Sequence, residues 1–96
     1  MTDIKAVLKD NHFCLDMTGH AGGTEYCAAV STLLYTLYNR LGELSQEGEL
    51  KTKDGEAHLC AEVTPASLPA IETILTGFRA LSLFYPEHIR FSLQDG

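Results

Sequence analysis

The spacing of apolar residues changes four times along the chain, and this alternation restricts the fold more than any other feature. Residues Ile4 to Lys9 and His12 to Gly19 alternate with a period of two, as strands do, and the Asp10-Asn11 pair between them favours a hairpin. From Cys27 the apolar residues follow helical spacing. The helical stripe consists of Val30, Leu33, Leu34, Leu37, Leu41 and Leu44. The first half of the chain is therefore predicted to form two strands and a long helix.

The second half repeats this order and adds one strand. The strands Glu49 to Thr52 and Ala57 to Thr64 are joined by a turn containing Asp-Gly, a strong hairpin signal. Ser67 is predicted as the N-cap of a second helix that Pro86 ends. Its buried stripe consists of Ile71, Ile74, Leu75, Phe78, Leu81 and Tyr85. A last strand alternates from Ile89 to Leu93.

The order ββαββαβ predicts an α/β (α+β) two-layer sandwich, with two helices on one face of a mixed sheet. The 96 residues are enough for a single domain, residues 1–96, with one modest core. The opposite face of the sheet is predicted to be polar, and to meet water or a second subunit.

Composition narrows the class of function. The net charge of −6 argues against direct binding to nucleic acid, which needs a basic surface. The sequence has neither an apolar run long enough for a membrane helix nor the start of a signal peptide, so we expect a cytoplasmic protein. Three cysteines in such a chain favour free thiols over disulfides.

One short stretch combines the parts of a nucleophilic site. His20 follows the second strand, and Cys27 is predicted near the first turn of the long helix, where unpaired N–H groups and the helix dipole favour a thiolate. A nearby imidazole would accept the thiol proton. Free amides near Gly22 and Gly23 could receive an oxyanion, and Ser31 lies one turn after the cysteine. From spacing alone, a small apolar cysteine at a helix start is more often used for packing than for chemistry.

Two segments, Gly19-His20-Ala21 and Cys27-Ala28-Ala29-Val30-Ser31, resemble the motifs of the ribosomal-processing cysteine proteases. The resemblance implies a homodimeric cysteine endopeptidase without a cofactor, which removes the N-terminal extension of a large-subunit ribosomal protein. It makes His20 the general base and Cys27 the nucleophile. Ser31 would be a supporting residue. Independently of the resemblance, we expect Ala28 to support the site or its oxyanion together with Gly22 and Gly23.

The sequence departs from this family between the histidine and the cysteine. The interval from His20 to Cys27 is seven residues, which is shorter than in the family, and Thr24-Glu25-Tyr26 replaces the usual Asp-Ile-Val. Glu25 and Tyr26 are the candidates for substrate contact in this altered loop. The alternative to an active protease is a non-catalytic variant that binds the peptide, or the ribosome, without cleaving it.

The pairs His12-x-Cys14 and His58-x-Cys60 offer four soft metal ligands if their strands pair. Neither has the CxxC spacing of common structural zinc sites, so half-buried residues on the second sheet face are the favoured interpretation and no metal is expected. A metal-binding or redox protein remains the third alternative. Tyr26, Tyr35 and Tyr38 could line a substrate groove, although a partly wet edge of the core is the favoured interpretation for Tyr35 and Tyr38. His88 is expected only to cap a loop.

Overall fold

The structure is a computed structural model that describes residues 1–46 and 48–95. Its elements follow the predicted order. They are β1 (Thr2–Lys9), β2 (His12–Thr18), α1 (Thr24–Glu43), β3 (Glu49–Lys53), β4 (Glu56–Glu62), α2 (Leu68–Phe84) and β5 (Ile89–Asp95).

The five strands form one sheet in the order β3-β4-β2-β1-β5. Strand β5 runs parallel to β1, whereas the other neighbouring pairs are antiparallel. The sheet is therefore mixed, as predicted. The hairpin between β1 and β2 turns at Asp10, where φ is 57°, and the hairpin between β3 and β4 turns at Gly55, where φ is 72°.

The core lies on one face of this sheet. Phe13, Leu15 and Leu59 are fully buried and contact the apolar sides of both helices in one cluster. The helical members are Val30, Leu34, Leu37, Leu41, Ile71, Ile74, Leu75 and Phe78. Because alternate strand residues point to opposite faces, burial of one set places both helices on the same side. The α+β fold predicted from the apolar pattern is confirmed.

Two boundary predictions need correction. Helix α1 begins at Thr24, three residues before Cys27, because Gly23 ends the extended segment and serves as the N-cap. Tyr85 was predicted in the buried stripe of α2, but it is 42% exposed. The helix ends at Phe84 ahead of Pro86, so Tyr85 occupies the cap position beyond the buried face.

The expectation of three free thiols is wrong for two of them. Cys14 and Cys60 form a disulfide, and Cys27 is the free cysteine. Cys14 lies directly opposite Cys60 in the pairing of β2 with β4, a proximity that the number of cysteines does not reveal. Within residues 1–46 and 48–95, the helices are too short or too polar to cross a membrane.

Candidate active site

A cleft of about 250 Å³ lies between the first turns of α1 and the hairpin that joins β3 to β4. Three of the predicted site residues, His20, Cys27 and Ser31, line this cleft. Tyr35 and Lys53 line it as well. The cleft opens on the helical side of the sheet, since Met17 and Ala57 on that side form its floor.

One face of α1 supplies the thiol side of the cleft. Cys27, Ser31 and Tyr35 are separated by four residues each, so they lie one above the other on the helix. Cys27 is half-buried and carries a free thiol, while Ser31 and Tyr35 are exposed. Of these three side chains along α1, that of Cys27 is therefore the most buried, and the other two are open to solvent.

The imidazole side is set by the loop after β2. Gly19 adopts φ 90°, and its N–H donates a 2.8 Å hydrogen bond to the carbonyl of Gly55. This bond holds the start of the loop against the β3–β4 hairpin. The ring of His20 lies over Gly55, where an added Cβ would be 3.1 Å from Nε2.

His20 is largely exposed, with 68% of its side chain open to solvent. Its Nε2 lies 3.8 Å from Oδ1 of Asp54, a distance that suits a loose contact when the ring is protonated. Asp54 is itself almost fully exposed, so solvent screens this pair.

The thiol and the imidazole share the cleft without touching. Among the described residues, the hydrogen bonds that involve sulfur belong to Cys14 and Cys60, and none joins Cys27 to His20. Catalytic pairs are often loose before substrate binds and tighten in the complex. The arrangement can support proton transfer if the exposed ring of His20 turns from Asp54 toward the sulfur.

An aromatic cluster fixes the start of α1 from outside the cleft. Tyr26 stacks on His88, with ring centroids 4.0 Å apart, and meets the edge of Tyr85 at 5.0 Å. Nδ1 of His88 donates a 2.7 Å hydrogen bond to the carbonyl of Ala21, which is buried. His88 therefore ties the loop to the helix start, a larger role than capping a nearby loop.

The remaining predicted residues lie around the helix start, away from the cleft lining. Gly22 has φ 89°, and Gly23 is the N-cap, whose carbonyl accepts the N–H of Cys27 at 3.1 Å. The first N–H groups of a helix have no acceptor within the helix, so the backbone N–H of Gly23 is free to donate to a ligand. The N–H of Ala28 lies further along α1 and is used in the helix itself. Glu25 and Ala28 border a different, shallow cleft between α1 and α2.

Sequence reasoning missed the contribution of the β3–β4 hairpin. Asp54 and Gly55 were identified only as a turn, because nothing in their spacing connects them to a histidine 34 residues earlier. Tyr35 continues the four-residue spacing of Cys27 and Ser31 and lines the cleft, as expected if it borders a substrate groove. Tyr26, predicted to contact substrate, packs against the rings of Tyr85 and His88 and is not part of the cleft lining.

Solved structures of similar fold are known, although no protein-family model and no curated protein matches the sequence. The protein SMU.848 from Streptococcus mutans is 25% identical with a TM-score of 0.80, over 100% of this chain and 96% of that chain. The essential ribosomal processing protease Prp from S. aureus, in complex with a covalently linked product peptide, is 22% identical with a TM-score of 0.82, over 98% of this chain and 100% of that chain. The same protease with a substrate peptide gives a TM-score of 0.76 at 18% identity, over 98% and 100% of the two chains. The resemblance inferred from two short motifs is confirmed at the level of the fold.

Proposed function

We propose that the chain is a cysteine endopeptidase that removes the N-terminal extension of a large-subunit ribosomal protein. It acts in the cytoplasm, as a homodimer and without a cofactor. The observation that carries the proposal is the placement of a free thiol, Cys27, and an imidazole, His20, on two walls of one cleft. The fold of a ribosomal processing protease that is known with a covalently linked product peptide supports it.

The reaction follows from these two side chains. His20 accepts the proton of the Cys27 thiol, and the thiolate attacks the carbonyl carbon of the scissile peptide bond. The C–N bond breaks, the amine leaves with the proton from the imidazole, and the acyl group stays on sulfur. Water, deprotonated by His20, then hydrolyses the thioester. The N–H groups of Gly22 and Gly23 are the proposed donors to the oxyanion, because they lie ahead of the hydrogen-bonded part of α1. Neither residue lines the cleft, so this role requires the loop to turn these groups toward Cys27 when the substrate binds.

The walls of the cleft suggest how a peptide is held. Tyr35 offers a flat, partly exposed ring beyond Ser31, suited to an apolar or aromatic substrate side chain. On the opposite wall Lys53 pairs with Glu56 at 3.2 Å, so this wall presents both a cation and a carboxylate to a bound peptide. Glu25 faces the other side of α1 and would meet only a part of the substrate that extends past the cleft.

A peptide-binding protein without protease activity is the second candidate. Two observations favour it: His20 leans toward Asp54, and the short loop is held at both ends by Gly55 and His88. A loop held in this way has little length to close over a substrate. Such a protein would use the same cleft and the same peptide.

Incubation of the purified protein with a peptide spanning the ribosomal-protein extension separates the two candidates. We expect cleavage at one bond by the wild type, detected by mass spectrometry, and none by Cys27→Ala. His20→Ala should slow both cleavage and alkylation of Cys27 by iodoacetamide at neutral pH, since it removes the base. Ser31→Ala keeps both groups and serves as the matched control, with a smaller loss.

The outcomes are distinguishable. Peptide binding without any product would establish the second candidate. Cleavage that continues unchanged in Cys27→Ala would exclude the thiol as the nucleophile and with it the proposed function.

A further inference from the structure

The sheet face opposite the helices carries a second cluster of reactive side chains. Cys14 on β2 and Cys60 on β4 lie directly opposite each other in the antiparallel register. His12 precedes Cys14 by two residues and His58 precedes Cys60 by two, so each histidine shares the face of its cysteine. Because the strands are antiparallel, the two rings flank the sulfur pair from opposite ends.

The distances show that these side chains converge. Nε2 of His12 lies 3.5 Å from Sγ of Cys14, and Nε2 of His58 lies 3.0 Å from Sγ of Cys60. The ligand atoms of His12, Cys14 and Cys60 all lie within 4.8 Å of one another, whereas Nε2 of His58 is close to Cys60 but lies outside this group of three. All four side chains are exposed or half-buried, so an ion reaches them directly from solvent.

A carboxylate orients one of the rings. Nδ1 of His58 contacts Oδ1 of Asp16, its partner across the strands, which leaves Nε2 directed at the sulfur of Cys60. This order, carboxylate to Nδ1 with Nε2 free for a ligand bond, is the usual arrangement around a histidine that binds a metal. Neither the fold nor the proposed protease reaction requires it on this face.

We infer that the dithiol form of the protein binds one Zn²⁺ through the thiolates of Cys14 and Cys60 and Nε2 of His12 and His58. Three of these ligands are already grouped, and His58 would complete the set by a small movement toward the sulfurs once the disulfide opens. Two thiolates and two imidazole nitrogens are a donor set that suits tetrahedral Zn²⁺. In common structural zinc sites, a CxxC turn brings two cysteines together, and this chain has no such turn at Cys14 or Cys60. Here the register of β2 with β4 brings the sulfurs together, so a tight turn is not needed.

Formation of the site requires the disulfide to open. A dithiol reductant supplies two electrons and two protons to the Cys14–Cys60 bond and becomes a disulfide itself. Zn²⁺ then displaces the two thiol protons and forms two Zn–S bonds. The disulfide form lacks thiolates and is expected to bind no zinc in this way.

The site can be tested apart from protease activity. The protein is reduced with a phosphine, three free thiols are confirmed by titration without denaturant, and bound zinc is measured after addition of ZnCl₂ and desalting. We expect one Zn²⁺ per chain in the wild type and in Cys27→Ala, which lies on the other face. Cys14→Ser and Cys60→Ser should each lose the ion, and Co²⁺ in its place should give the thiolate charge-transfer and tetrahedral spectrum.

Two further variants test the role of His58 as a zinc ligand and of Asp16 in orienting its ring. His58→Ala should weaken zinc binding, and Asp16→Asn should weaken it roughly 10- to 100-fold through loss of the ring orientation. Equal zinc content in reduced wild type and the Cys14→Ser/Cys60→Ser double variant would overturn the inference. A Cys14–Cys60 bond that resists reduction in the folded protein would overturn it as well.

Discussion

At the scale of single residues, Gly19 shows how the backbone beside the cleft is fixed. Its φ of 90° suits glycine, and a Cβ at this position would overlap the carbonyl oxygen of Met1. We therefore expect Gly19→Ala to lower the free energy of unfolding by about 1–3 kcal/mol, measured by urea denaturation. Gly42→Ala is the control, since its Cβ would meet nothing within 4 Å on α1, and it should stabilise by about 0.5–1 kcal/mol. Equal effects of the two substitutions would contradict this account.

The site residues that were predictable from the sequence are close to one another along the chain. Cys27 and Ser31 lie on one helix, where spacing fixes which residues are neighbours, and His20 lies a few residues before it. Asp54 and His88 reach the same region through tertiary packing, which local spacing does not encode. The disulfide was missed for the same reason, because it depends on the register between β2 and β4.

At the scale of elements, the start of α1 depends on one histidine from the far end of the chain. His88→Ala removes the hydrogen bond to Ala21 and the stacking on Tyr26. We expect a loss of about 1–2 kcal/mol in the free energy of unfolding, with faster amide hydrogen exchange in residues 21–27. Glu87→Ala, at an exposed neighbour, should change stability by less than about 0.5 kcal/mol. Unchanged exchange at the start of α1 in His88→Ala would refute this role.

Element types followed from the periodicity, whereas their ends depended on caps and on tertiary contacts. The apolar stripe of α1 begins only at Val30, so it could not show that the helix extends back to Thr24. The polar first turn is held by Tyr26 against His88, a contact between residues 62 positions apart. At α2, the helix stops before Pro86, and Tyr85 is left outside the buried stripe that its spacing indicated.

At the scale of the whole molecule, the alternation of apolar and polar residues along the strands predicted the two-layer arrangement but not the order of the strands in the sheet. A period of two shows which side of a strand is buried and gives no information on which strand lies beside it. The placement of β5 next to β1, in parallel, follows from the return of the chain after α2. This pairing sets Thr2 beside Ile89, and a 2.9 Å hydrogen bond from Thr2 N–H to the carbonyl of His88 joins the chain start to the segment that supports the site.

We expect the proposed homodimer to form through the apolar surface at the end of α2. Leu83 and Phe84 at the end of α2 are 75% and 77% exposed, and adjacent large apolar side chains that are open to solvent mark a candidate contact for a second copy. We expect the wild type to sediment as a dimer at micromolar concentration, and Leu83→Ser/Phe84→Ser to sediment as a monomer with an unchanged circular dichroism spectrum. Tyr38→Ser, at an exposed position on α1, should leave the dimer intact. A monomeric wild type would refute the dimer, and a double variant that stays dimeric would place the interface elsewhere, leaving the polar sheet face as the alternative surface.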